Sequence, residues 1–339
     1  MAEMINTSLT WSQEDVQKYF LEPLFVSNNS LEHFDVMTDI SGSSIKLDRY
    51  AALKDITKAH SLSSFSADGT QSANTNITLT LSRLEVEHKQ AAFTMFNHIK
   101  SQLLKQGISR NDISGTKIME IVSTLLMQGI QRDFSSLLWF GDNEDGGQTP
   151  YNLTNGIWKQ MSEQLLAGDA AAGQATIEPT SGNTNALGSL EAMVAARSVD
   201  LAAMPNVIWC SNAFAESYKG ALRAAGTHTQ AYADLQNGFG NLSFDGIPMI
   251  VVPEWDVDVK NNATNLAAMD GLLAPDAAAE TRCAVLTMPG NFTVATDFKS
   301  NPVDMWYNRD EKENRFRMTY SFGCAIKEPT MWVANRQTA

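Results

Sequence analysis

Apolar and polar positions alternate most regularly near the end of the chain. Phe316, Met318, Tyr320, Phe322, Cys324 and Ile326 are apolar or sulfur-bearing, whereas Arg317, Thr319, Ser321, Gly323 and Ala325 between them are charged, hydroxylated or small. Side chains on a strand alternate between faces, so residues 316–326 are predicted to form a long strand with one buried face and one wetter face. Residues 76–81 repeat the pattern on a smaller scale, with Ile77, Leu79 and Leu81 separated by Thr78 and Thr80. Residues 44–56 supply a less regular partner through Ile45, Leu47, Leu53 and Ile56. The intervening stretch 61–75 is mostly Ser, Ala, Asn, Gly and Thr, the composition of a loop tip. Together these predict a projecting hairpin whose thin apolar content needs another surface to lie on.

A second period governs the middle of the chain. Ile118, Ile121, Val122, Leu125, Leu126, Phe134, Leu137 and Leu138 recur at three- and four-residue steps, and Gly141 ends the run. Residues 115–140 are predicted as one helix of about 39 Å, at about 1.5 Å per residue. No heptad runs through it, which argues against a coiled coil. A shorter helix is predicted at 12–21, with Ser12 and Asp15 as a capping box and Pro23 beyond it. Others are predicted at 157–166, at 185–204 with Leu187, Leu190, Val194 and Val199 on one side, and at 213–225, capped by Asn212 and ended by Gly226. Residues 84–96 read as strand, followed by a short helix to 106. Brief strands at 207–210, 249–252, 282–288 and 292–295 mix with these helices without a βαβ rhythm, so the fold class is α+β. No internal repeat is visible.

Composition narrows the function. A net charge of −13 over 339 residues argues against a dedicated nucleic-acid reader, which presents a basic face. It keeps free subunits soluble and makes their association salt-sensitive. Cys210, Cys283 and Cys324 are far apart and lack metal spacing, so reduced, buried thiols made in a cytoplasm are expected. Residues 1–10 have no signal-peptide pattern, and no apolar run approaches the roughly 20 residues needed to span a membrane.

Catalytic signatures are missing. The sequence has no G-x-x-x-x-G-K-[ST] loop, no H-E-x-x-H and no G-x-S-x-G elbow. Gly238-Phe239-Gly240 opens like a dinucleotide fingerprint, but Ser243 stands where its third glycine belongs. Asp142, Glu144 and Asp145 lie in an acidic loop, 142–149, whose spacing fails the calcium-loop pattern. His33, His60, His88, His98 and His228 are scattered, the last in a polar loop. No catalytic, cofactor-binding or metal-ligating residue is assigned, no cofactor is expected, and the chain is read as a non-enzyme.

The order of elements is specific. An arm, a long two-stranded loop, a long helix, a second helix, a mixed α+β region and a long terminal strand together resemble the tailed-phage major capsid proteins of the Hong Kong 97-type capsid fold. The local carriers are Leu137-Leu138-Trp139-Phe140-Gly141-Asp142, the strand-turn-strand from Phe244-Asp245-Gly246-Ile247-Pro248 to Val252-Pro253, and Pro289-Gly290-Asn291-Phe292 through Arg315-Phe316-Arg317-Met318. The resemblance implies an N-terminal arm (1–39), an extended loop (40–81) and a peripheral domain (82–206) with a spine helix (115–140). It further implies an axial domain (207–299) and a return to the peripheral sheet and C-terminus (300–339).

It implies a structural protein that self-assembles, as hexamers and pentamers, into the icosahedral head around the genome of a tailed double-stranded DNA bacteriophage. The expected partners are copies of itself, a portal protein, and separate scaffolding or decoration proteins. DNA would be enclosed without sequence-specific binding, no membrane would be involved, and the protein would reside in the virion after assembly in the host cytoplasm. The extended loop is expected to lie over an adjacent subunit and bury Ile77, Leu79 and Leu81 there. Two departures from the type member matter. The chain begins at Met1 with only a short arm, so scaffolding is expected to be separate or absent. Lys46, Lys54 and Lys58 match no cross-linking motif, so no covalent cross-linking is expected. The alternatives are an encapsulin-type shell, with helix 12–21 binding cargo, or an α+β enzyme with an unrecognised site at the 142–145 loop.

Overall fold

Fourteen residues of continuous strand, Glu313–Ile326 (β12), organise the first of two main sheets in this computed structural model. The structure describes residues 31, 33–38, 40, 42–50, 57, 74–91, 117–144, 149–169, 175–178, 186–224, 242–261, 282–297, 303–308, 310–311 and 313–337. The predicted helix at 12–21, the loop tip at 61–73, the helix reaching 106, and His228 lie outside them. So do Leu53, Ile56, Gly226 and the 145–148 part of the acidic loop.

The described elements run β1 (Asp35–Met37), β2 (Ser44–Tyr50), β3 (Asn74–Thr80), β4 (Ser82–Ala91), α1 (Lys117–Phe140), α2 (Ile157–Ala167), β5 (Ala175–Glu178), α3 (Ala186–Ala195) and α4 (Val199–Ala202). They continue through β6 (Val207–Cys210), α5 (Asn212–Ala224), β7 (Ser243–Phe244), β8 (Ile247–Val251), α6 (Glu254–Asn261), β9 (Ala284–Thr287), β10 (Phe292–Thr296), β11 (Val303–Asn308), β12 and β13 (Trp332–Gln337). A one-turn 3₁₀ helix at Tyr151–Leu153 precedes α2.

β12 has strands on both edges. Phe316 is opposite Met305 of β11 on one edge and His88 of β4 on the other. β10 follows β11's edge further along, with Phe292 opposite Ile326 and Thr296 opposite Phe322, and β1 runs parallel outside β10. β10 and β11 are thus two stretches of one antiparallel partner. At the break between them the Asp297 carboxylate accepts hydrogen bonds from the Ser321 amide and, at 2.9 Å, from its hydroxyl. The second sheet has six strands in the order β5-β13-β9-β6-β8-β7. β10, from the 207–299 segment, therefore lies in the sheet of β12, while β13, from 300–339, crosses to the six-stranded sheet.

One aromatic core joins the two sheets. The end of α1 is buried all round: Phe134, Leu137, Leu138, Trp139 and Phe140 are at most 1% exposed. Phe134 meets Phe322 of β12 at 4.8 Å between ring centroids, and Trp139 meets Trp255 of α6 at 4.7 Å and Trp209 of β6 at 6.0 Å. Each such edge-on or tilted pair adds about 0.5–1.5 kcal/mol beyond burial. The other face of the six-stranded sheet, with Ile208, Cys210, Leu286 and Val333, packs on Leu190 of α3 and Phe214 of α5. Sandwiched strands need no alternation, and β6, β9 and β10 are buried at every position.

Backbones cross closely where α1 ends. A Cβ on Gly141 would sit 2.2 Å from the Thr154 carbonyl oxygen, and one on Gly156 would sit 2.8 Å from that of Trp139. Gly156 N–H donates to the Gly141 carbonyl at 2.8 Å, so neither glycine leaves room for a side chain. Asp245 and Gly246, both at positive φ (51° and 76°), make the two-residue turn between β7 and β8.

Two helix predictions need correction. The single helix expected at 185–204 is two, α3 and α4, broken at 196–198 where the Ser198 hydroxyl caps the second by accepting from Leu201 N–H at 3.2 Å. The break turns Val199 outward, 87% exposed, and buries Leu201 instead. The cap of α5 is Ser211, whose hydroxyl accepts from Phe214 N–H at 3.2 Å, and Asn212 is already helical.

Candidate assembly surface

The β2–β3 hairpin is antiparallel, with Ile45 opposite Leu79 and Leu47 opposite Ile77, which puts these four side chains on one face. That face lies on the outer side of the β12 sheet. Leu79 is 0% and Leu81 6% exposed, clustered with Ala295 and Ala325. The expectation that Leu79 and Leu81 are buried only by an adjacent subunit is therefore corrected: they are buried within their own chain. The reason is the small residues on β12. A Cβ on Gly323 would meet the Thr80 carbonyl oxygen at 2.4 Å and Leu79 Cδ2 at 3.0 Å, so only glycine admits the hairpin this closely. Burying a leucine completely contributes about 1.5–3 kcal/mol. Burial fades along the hairpin, and Ile45, Leu47 and Ile77 are only half-buried.

Beyond the hairpin, the same sheet side is bare and charged. Arg83, Glu85, Glu87, Lys89, Arg317 and Thr319 are exposed. Arg317 pairs with Glu85 and, at 3.5 Å, with Glu87; Lys89 pairs with Glu313 at 3.3 Å. Exposed pairs like these contribute at most about 1 kcal/mol each in water. The opposite side carries Phe316, Met318 and Tyr320, all buried in the aromatic core with Ile130 and Phe134 of α1.

A polar cleft of about 430 Å³ lies between β3 and α2, lined among others by Thr78, Thr80, Gln160, Glu163 and Gln164. Gln160 closes its floor by donating to the Cys324 carbonyl at 2.8 Å. Burial raises the Glu163 carboxyl's pKa, with nearby Lys159 opposing. The Cys324 thiol, at the same floor, is pushed up to about 12 by burial, so it carries no thiolate for nucleophilic chemistry. Cys210 is likewise pushed up to about 12 by burial, and Cys283 is buried and free.

The acidic loop is organised by a residue that sequence reading did not single out. Lys159 of α2, nine-tenths buried, holds Asp142 at 3.2 Å and Glu144 at 3.1 Å. Burial alone would lower its pKa, but the two carboxylates prevail and raise it. A lysine beside Trp158 and one turn from Glu163 was the available signal. Asp142 is thereby committed to an ion pair, and among the described residues no cluster of three metal-ligating side chains forms. Also among the described residues, no helix is long and apolar enough to cross a membrane.

The sequence matches no family model and no curated protein. The fold, by contrast, matches solved structures along nearly its whole length. A chain of the satellite phage P4 procapsid that includes the size determination (Sid) protein aligns over 94% of this chain and 98% of its own, at 11% identity and a TM-score of 0.51. A chain of Gordonia phage Cozz aligns over 91% and 85%, at 10% identity and 0.58. One of Mycobacterium phage Ogopogo aligns over 92% of both, at 14% identity and 0.54. The α+β architecture, with its seated hairpin, long helix, two sheets and extended terminal strand, is the Hong Kong 97-type capsid fold.

Proposed function

We propose that this chain is the major capsid protein of a tailed double-stranded DNA bacteriophage, self-assembling into the icosahedral head that encloses the genome. The end-to-end likeness to a phage procapsid chain carries this reading. In it, residues 1–39 are the arm, 40–81 the extended loop, 82–206 the peripheral domain, 207–299 the axial domain, whose β10 pairs with β12 in the peripheral sheet, and 300–339 the return to the peripheral sheet and C-terminus, whose β13 pairs into the six-stranded sheet. A closed shell requires each subunit to present heterologous surfaces that symmetry brings together. The hairpin suits this role. Its root is fixed by Leu79 and Leu81 on its own sheet, while the half-buried Ile45, Leu47 and Ile77 leave apolar area for a neighbour to cover. At about 25 cal/mol per Å² of apolar area, many such modest contacts sum to a stable shell while each remains reversible. Hexamers and pentamers of this chain, a portal protein, and separate scaffolding or decoration proteins complete the head. The net charge of −13 suits a wall that encloses DNA without gripping it.

Electron microscopy of the purified protein, with light scattering, tests the proposal. Closed shells of uniform diameter are expected. A monomer or dimer that persists at high concentration under every salt condition would overturn it.

A further inference from the structure

The helix α6 is a strut between two others. At its start, Asp256 accepts from Ala213 N–H of α5 at 3.2 Å. One half-turn on, Asp258 faces α1: its Oδ1 accepts from the Ser136 hydroxyl at 2.9 Å and from the Tyr151 hydroxyl at 2.9 Å. Asp258 is 2% exposed, and its second oxygen, Oδ2, is buried without a hydrogen bond among the described residues. A carboxylate in water accepts at both oxygens, so an ionised Asp258 here would leave half its charge unsolvated. A protonated one would carry its hydrogen on Oδ2 and keep both bonds at Oδ1.

We propose that Asp258 is a proton-operated latch between α6 and the spine helix α1, closed when its carboxyl is neutral and strained when it ionises. The charged groups around it do not reverse this. On α1, Arg132 favours the ionised form, but it is exposed and makes no ion pair with Asp258 among the described residues. On α6, Glu254 opposes ionisation, and the Tyr151 phenol stays protonated, its own pKa raised by burial and by Asp258. On α5, the other helix against α6, Lys219 pairs with Glu216 at 3.0 Å. Burial outweighs the two donated bonds and raises the Asp258 pKa above its ordinary 3.8. The folded state therefore binds this proton more tightly than the unfolded one. The resulting stabilisation is fully present below the unfolded value and is lost as pH rises through the raised folded value.

Asp258→Asn mimics the neutral form, keeping an acceptor at Oδ1. Urea unfolding of the full chain, followed by tryptophan fluorescence, should find wild type and variant similar at about pH 3.5, below the unfolded value, and the variant favoured about ten-fold or more in folding constant at about pH 8. A gap that does not change with pH, or a variant that loses ground as pH rises, would overturn the latch. Infrared spectroscopy of the wild-type protein gives a measure that needs no stable Asp258 variant. A protonated-acid C=O band should persist above the pH at which exposed carboxyls ionise, and Tyr151→Phe should shift it. Absence of that band would overturn the proposal too.

Discussion

The two halves of β12 have the same sequence rhythm and different surroundings. Over Arg315–Thr319 the outward residues Arg317 and Thr319 are exposed, whereas over Ser321–Ile326 every position is buried on both faces. The inner face is the same throughout, a row of large apolar side chains against the aromatic core. What changes is the outer face. In the first half it carries charges paired with β4; in the second it shrinks to Ser321, Gly323 and Ala325, and a hairpin from far earlier in the chain fills the space. Alternation reports which side chains share a face. Side-chain size on the quieter face reports whether something else lies on it.

Four experiments test that contrast. The largest effect is expected from Leu79→Asp, which buries a charge between hairpin and sheet: roughly 5 kcal/mol or more, seen as lost hydrogen-exchange protection across β2 and β3. A Leu79→Asp protein with a fully protected hairpin would mean the seat is elsewhere. On the shared inner face, Phe316→Ala and Phe322→Ala should each cost about 3–5 kcal/mol in urea unfolding. Unequal costs would show that the halves differ on both sides and not on one. Gly323→Ala forces the hairpin backbone away and should cost about 1–3 kcal/mol. Its counterpart in the first half, Thr319→Ala, should stay within about 0.5 kcal/mol. Smallest, Arg317→Ala should cost under about 1 kcal/mol, an effect that salt erases. A large, salt-insensitive loss there would mean the charged half is covered after all.

Elements set by local periodicity were legible: the terminal strand, both arms of the hairpin as far as they are described, the spine helix and the short buried strands all form where the pattern placed them. Features set by contacts distant in sequence were not. Nothing near Leu79 announces Gly323 as its floor, and nothing in the acidic loop announces Lys159. Local competition blurred others. Ser211 and Asn212 are adjacent and equally good caps, and the winner is decided by which hydroxyl or amide meets the N3 amide. Within 185–204, apolar spacing suggested one continuous face, but Ser198 offered a better start for a new helix than a continuation of the old one.

The three thiols have a practical consequence. Cys210, Cys283 and Cys324 are the chain's whole complement and all are sequestered in the core. A cysteine introduced at the exposed Asp310, in the turn joining β11 to β12, would thus be the one site open to a maleimide dye in the native protein. Such a dye would report, subunit by subunit, when that turn passes from solvent into contact with a neighbour.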